Sequence, residues 1–390
     1  MPFCRTKCSY CNFASDVFSR VVFERYVDRV CQQIADWRQT AMEMAGRAEP
    51  EVDSIYLGGG TPTVLEVGQF CRIFSAIRTE FDVQASAEVT VECAPGTLTL
   101  EMRETLLRCG VNRVSLGVQS FVDGEAAAVG RLHKRATIVD DIAQLRSDGI
   151  SNISIDLIAG LPHQTAASWD QSVSETIATG AGHVSVYMLE VDEDSRLGRE
   201  LIAGGTKYHA HFVPDEEAIA DFYIAACEKL EAAGVPQYEI SNFAREGFQS
   251  RHNLKYWTRQ PYLGFGVDAH SMLPSASGNE EGVRFATSES LEKYVAGAPL
   301  QRTVVSQATA MEESFFLGLR LNEGVDLREI ARSFGQPAVE QCEPRVSELI
   351  DQRLLERAGN RLRLTPRGRL LSNEVFQAFL TSTEVPARPL

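Results

Sequence analysis

The sequence predicts an α/β protein: a partial (β/α)6 TIM-like barrel followed by a winged-helix-like α+β domain. Three observations carry this expectation. Strand-like and helix-like segments alternate from residue 54 to residue 241, four of the strand-like segments are polar along one side, and from about Thr303 the pattern changes to helices without intervening strands.

Helix-type apolar spacing runs over residues 17–45, ahead of the alternating part. Strand-like stretches are then expected at 54–57, 88–92, 113–118, 153–158 and 183–189, with helices at 66–81, 100–109, 137–147, 168–179 and 215–233 and a last strand at 237–241. Strand and helix units in this order imply a parallel sheet with helices outside. The polar rows choose among such sheets. Glu88, Thr90 and Glu92; Arg113, Ser115 and Gly117; Ser154 and Asp156; and His183, Ser185 and Tyr187 occupy alternate positions, while the other faces are apolar. A doubly wound strand is apolar on both faces and a closed barrel is filled with Val, Ile and Leu, so a polar lining points to a partly open barrel around a polar ligand. Beyond a connecting segment at 243–302, helices at 308–321, 327–334 and 339–352 precede a hairpin at 354–364 that turns at Gly359-Asn360, and a last helix follows Pro366. The expected division is therefore 1–242, 243–302 and 303–390.

Composition sets limits. With 38 basic against 53 acidic residues the net charge is -15, which argues against general binding of nucleic acid or anionic membranes, because phosphates are repelled on average. No run of about 18 apolar residues and no leader pattern is found, so no membrane span is expected and a cytoplasmic location is the default. Six of the nine cysteines are scattered singly and read as core thiols. The other three, Cys4, Cys8 and Cys11, form CxxxCxxC, a metal site before a disulfide framework in a reducing compartment. Three thiolates on a four-iron cubane leave one iron open for another molecule, although a zinc ion completed by a distant ligand fits the same spacing.

Gly58-Gly59-Gly60-Thr61-Pro62 follows the first strand-like stretch, at the strand end where parallel α/β proteins bind ligands. A glycine turn alone is a weak signal. Together, the three-cysteine loop and GGGTP resemble the radical SAM superfamily, in which the cluster and S-adenosylmethionine (SAM) share a site and the glycines hold the methionyl amino group. Thr90-V-E-C-A-P-G-T, Asn112-R-V-S-L-G-V-Q-S-F, Gly130-R-L-H and Ile155-D-L-I-A-G-L-P are similar to successive motifs of the oxygen-independent coproporphyrinogen III oxidase group. That resemblance covers nearly the whole chain. It implies a 4Fe-4S cluster on Cys4, Cys8 and Cys11 and SAM against Tyr10, Gly59, Gly60, Thr61, Glu92, Gln119, Arg131 and Asp156. It also implies a strand leading into the cysteine loop, and no strand-like stretch precedes Cys4, so the first strand of the barrel is expected to be missing.

His252-Asn253-Leu254-Lys255-Tyr256-Trp257 resembles the HNxxYW element of the HemW-type haem chaperones, a branch of the same group. Imidazole suits haem iron and flat rings suit a macrocycle, so His252, Asn253, Tyr256 and Trp257 are candidate haem contacts, with His270 in the following Gly264-F-G-V-D-A-H-S segment a second ligand candidate. This branch implies transfer of haem to an acceptor protein, with an electron donor such as a flavodoxin or ferredoxin for the cluster. The competing reading is radical decarboxylation of coproporphyrinogen III. Against it, that enzyme family resembles CxxxCxxCxC and carries an N-terminal extension, whereas Phe13 stands at the fourth cysteine position here. A third reading is DNA binding by the arginine-rich stretch 353–369, which the acidic balance opposes.

Overall fold

In the computed structural model, which describes residues 1–277 and 280–380, six strands form one curled sheet in sequence order. They are β1 (Glu51–Leu57), β2 (Asp82–Cys93), β3 (Arg113–Gln119), β4 (Asn152–Ala159), β5 (His183–Met188) and β6 (Asn242–Ala244). The first five are parallel, and β6 closes the edge antiparallel to β5. Helices Val67–Glu80, Leu100–Arg108, Arg135–Ser147, Ala166–Thr179 and Glu216–Ala232 return the chain outside the sheet. Local chemistry fixes their ends. Thr99 and Asp215 accept the first free N–H groups of their helices, and Thr165 with Ser168 makes a reciprocal cap.

Alternation along each strand separates two environments. Val89 and Val91, Val114 and Leu116, Ile153 and Ile155, and Val184 and Val186 face the helices and are buried with Phe70, Leu106, Leu145 and Trp169. The opposite face is polar and in register: Glu92 lies beside Ser115, Ser115 beside Ser154 and Ser154 beside His183, while Gly117 lies beside Asp156 and Asp156 beside Ser185. One-residue slippage of β2, β4 or β5 would place a carboxylate or imidazole among the outer Val and Ile side chains, and slippage of β3 the Arg113 guanidinium, so the pattern itself fixes the register.

The expected strand at 237–241 is replaced by a reversal, and the sixth strand begins at Asn242. Tyr238 N–H donates to the Asn242 carbonyl at 3.0 Å, and the buried Glu239 carboxylate accepts from the Ser241 N–H at 3.1 Å and from the Asn242 amide. Alternating Tyr238, Glu239 and Ile240 mimics a strand, but a buried carboxylate needs donors and the turn supplies them. The helical stretch expected at 17–45 is two helices, Arg20–Ala35 and Trp37–Glu43, interrupted at Asp36. No strand of the sheet precedes β1 among the described residues; residues 1–3 lie along the glycine turn, where the N–H groups of Gly60 and Thr61 donate to the carbonyls of Met1 and Phe3 at 2.6 and 2.7 Å.

Strands β7 (His270–Pro274), β8 (Gly282–Ala286) and β9 (Gln301–Val305) make a separate antiparallel sheet. After it come helices Gln307–Gly318, Leu327–Phe334 and Gln336–Asp351, with β10 (Val325–Asp326), β11 (Leu355–Ala358) and β12 (Arg361–Leu364) ordered β10-β12-β11. This is the winged-helix arrangement. Its core of Phe315, Ile330, Val346, Leu362 and Phe379 also takes in Ile240 from the barrel, whose N–H donates to the Arg320 carbonyl at 3.2 Å. No helix among the described residues is long and apolar enough to cross a membrane.

Candidate cofactor site

The cysteine loop is pinned on several sides before any side chain is considered. Ser9 N–H donates to the Val129 carbonyl at 3.1 Å, Leu197 N–H to the Ser9 carbonyl at 2.8 Å, and Cys4 N–H to the Asp16 carbonyl at 3.1 Å. Lys7 Nζ closes the loop on the carbonyls of Phe13 and Ser15, at 3.1 and 2.7 Å. Thr61 Oγ1 lies 3.9 Å from Cys4 Sγ and Ser15 Oγ lies 3.8 Å from Cys11 Sγ, so hydroxyls accompany both thiols. Cys8 is buried beside Tyr10 and Arg131. Burial raises the pKa of Cys4, and the hydroxyls of Ser15 and Thr61 work against it. Among the described residues no three His, Cys, Asp or Glu side chains converge to chelate a single ion. A cubane asks for a different arrangement, one thiolate to each of three irons.

Next to the thiols, the C-terminal strand ends assemble the other sequence candidates. Glu92 accepts from the Tyr56 hydroxyl at 2.7 Å and from the Gly59 N–H at 2.8 Å. A Cβ on Gly58 would stand 2.6 Å from the Glu92 carboxyl carbon, so the turn must be glycine there to receive it. Asp156 accepts from Ser115 Oγ at 3.1 Å and is also hydrogen-bonded by Ser185. Burial raises the pKa of both carboxyls. Gln119, at φ +68° after a register shift in β3, turns its amide over Gly117 together with Arg131. Burial works against the Arg131 charge, but Tyr10, Cys8 and Cys4 outweigh it and raise its pKa.

Several polar atoms here are buried without a partner: Gln119 Oε1, Arg131 Nε and Thr90 Oγ1. Such atoms are uncommon in folded proteins and call for a partner, from water or from a ligand, and three of them meet here. SAM, with a carboxylate, an amino group and ribose hydroxyls, matches this donor and acceptor set. Tyr56, Ser115, Gly117 and Ser185 belong to the same constellation. Ser115, Gly117 and Ser185 stood in the polar rows; Tyr56 gave no signal, because four strand-like residues were too few to show alternation.

The HNxxYW element lies on helix Arg251–Trp257, against the middle of β2. The Glu88 carboxylate accepts the N–H groups of Arg251 and His252, at 3.1 and 3.0 Å. His252 has both ring nitrogens engaged, Nδ1 with Ser54 Oγ at 3.1 Å and Nε2 with Tyr256 Oη at 2.9 Å, and its ring stacks on Tyr56 at 5.0 Å. Burial, helped by Lys255 and Arg113, lowers its pKa to about 4. Asn253 N–H is capped by Ser250, and Trp257 packs under the Arg320 guanidinium at 4.3 Å. His270 opens β7 with its Nδ1 buried and without a hydrogen bond. Trp257 thus ties this helix to the winged-helix part, while the His252 ring lies against Tyr56, whose hydroxyl donates to Glu92.

Comparison with known proteins agrees with this architecture. Residues 1–175 match the radical SAM superfamily and residues 305–371 the HemN C-terminal domain. The chain is 33% identical over 387 residues to heme chaperone HemW of Bacillus subtilis, covering 97% of both chains. It is 29% identical over 388 residues to heme chaperone HemW of Escherichia coli, covering 97% of this chain and 96% of that one. The solved structure of coproporphyrinogen III oxidase (HemN) from Escherichia coli, a radical SAM enzyme, superposes with a TM-score of 0.82 over 98% of this chain and 88% of that one; at 23% identity this likeness is one of fold. The chain belongs to the radical SAM superfamily and, within it, to the heme chaperone HemW family.

Proposed function

We propose that this chain is a radical SAM haem chaperone that holds a 4Fe-4S cluster and SAM, binds haem and hands it to an acceptor protein. The observation that carries the cofactor part is the meeting of the CxxxCxxC loop with Glu92, Gln119, Arg131 and Asp156 at the C-terminal strand ends, with polar atoms left unpaired between them. Cys4, Cys8 and Cys11 would each take one iron, and the open iron would take SAM. Arg131 suits the methionyl carboxylate, the turn at Gly59 and Gly60 the amino group, and Glu92 or Asp156 the ribose hydroxyls. The bound cluster supplies one electron for reductive cleavage of the sulfonium. An external donor of the flavodoxin or ferredoxin class would reduce it, and a cytoplasmic location fits such a donor.

Full-length similarity to heme chaperones supports haem as cargo, and position 13 supports a chaperone over a decarboxylase: Phe13 is 63% exposed where the oxidase pattern has a cysteine. The test is anaerobic reconstitution with iron and sulfide, followed by incubation with SAM, reductant and coproporphyrinogen III. The expected result is a cluster absorbance without decarboxylated porphyrinogen. Turnover would establish the enzyme reading in its place.

A further inference from the structure

Arg113 is a cation in the interior of the sheet with nothing to hold. It opens β3 on the polar face, on the rung that runs from Tyr56 through Thr90, each residue directly beside the next. Only 2% of it is exposed, its Nε is buried without a partner, and among the described residues no hydrogen bond or ion pair reaches its guanidinium. A guanidinium stays charged when buried, so this one asks for an anion.

The carboxylates of the same face are engaged elsewhere. Glu88 accepts the N–H groups of Arg251 and His252, Glu92 the Tyr56 hydroxyl and the Gly59 N–H, and Asp156 the Ser115 hydroxyl. Burial shifts the pKa values of Tyr56, Asp156, His183 and His252, and the Arg113 charge acts on all four, which places the guanidinium among them. The candidate haem ligand His252 stacks on Tyr56 at 5.0 Å, and Tyr56 is two strands, about 10 Å, along the rung from Arg113. Imidazole and guanidinium therefore face one interior.

We propose that Arg113 is a carboxylate anchor inside the barrel and that the carboxylate it takes is a propionate of the haem cargo. The proposal rests on the haem-chaperone reading and gives its cargo a polar contact in addition to the ligand on iron. A planar guanidinium meets a carboxylate through two parallel hydrogen bonds, a match that an ammonium makes only in part. Arg113 is separate from Arg131: it stands at the N-terminal end of β3, whereas Arg131 lies beyond the C-terminal end, beside the cysteine loop. Haem and SAM would then occupy successive depths of one barrel.

Ferric haem and its dimethyl ester, in which both propionates are neutral, are titrated in parallel into the reconstituted full chain while the Soret band is followed. Wild type is expected to bind haem about tenfold or more tightly than the ester, as a charge-assisted hydrogen bond requires. Arg113→Gln is expected to lower haem to the affinity of the ester, leave the ester unchanged and keep the wild-type Soret position, because the iron ligand is untouched. Arg113→Lys should recover part of the preference. Wild type that does not distinguish haem from ester, a comparison that needs no variant, overturns the anchor and leaves the chaperone reading standing. So does full preference retained by Arg113→Gln, or equal weakening of both forms, which marks a structural role. Loss of SAM affinity in Arg113→Gln with the haem preference intact would give the guanidinium to the SAM carboxylate and also overturn the anchor. Wild type that binds neither form overturns the chaperone reading as well.

Discussion

Gly117 has no side chain, and the space a Cβ would take is closed by Arg131 Nη2 at 2.9 Å and Gln119 Nε2 at 3.2 Å. Both neighbours are ends of flexible side chains, so Gly117→Ala is expected to shift them and leave the strand folded. Calorimetric titration of SAM into the reconstituted protein should then show affinity reduced by roughly tenfold, since losing one hydrogen bond to a charged group costs about 1.5 kcal/mol or more. Cys4→Ser, Cys8→Ser and Cys11→Ser should each lose the cluster absorbance after reconstitution, and iron analysis near wild type in any one would remove that residue as a ligand. At this scale the thiols and the glycine turn are legible because their chemistry is local: thiolates within eight residues, glycines in one turn. Arg131 and Gln119 are joined only in the fold, where a register shift in β3 turns Gln119 over Gly117 and a loop beyond β3 brings Arg131 to the same glycine, neither written in spacing.

Among the elements, helix Arg251–Trp257 shows how a motif that suggests a ligand can hold a structure together. Its first N–H groups end on Glu88, so Glu88→Ala should cost about 1–3 kcal/mol by leaving buried donors unpaired, read as a lower urea midpoint. The same helix predicts a pH effect. His252 has a folded pKa of about 4 against 6.5, so the unfolded chain binds the proton first, and this contribution to stability is complete above about pH 6.5 and is lost as pH falls toward 4. Glu92 and Asp156, whose pKa values burial raises, act with opposite sign, so the histidine effect is read as a difference. Relative to wild type, His252→Gln should gain stability between pH 6.5 and 4; a constant difference would mean that His252 is not held neutral. Alternation identified β2 to β5 because their two faces meet different surroundings. It failed at 237–241, where the same alternation serves a turn closed by a buried carboxylate.

The whole molecule joins a sheet that presents a polar face at its C-terminal strand ends to a winged-helix part held by Trp257 through Arg320 and by Ile240, which precedes the edge strand β6. The arginines of the wing are largely engaged: Arg357 pairs with Glu343 at 2.8 Å, and Arg361 and Arg363 donate to the Glu323 carbonyl at 3.3 Å. A gel shift with the full chain is accordingly expected to show no salt-sensitive DNA binding. The change of pattern near Thr303 made this second part legible in the sequence, whereas its docking on the barrel depends on side chains far apart in the chain. Carriage of haem as cargo by this scaffold is read directly by haem titration of the anaerobically reconstituted protein, followed by gel filtration. A saturable Soret change that stays with the protein peak is the result predicted; a linear, unsaturable change with haem eluting apart from the protein would contradict it.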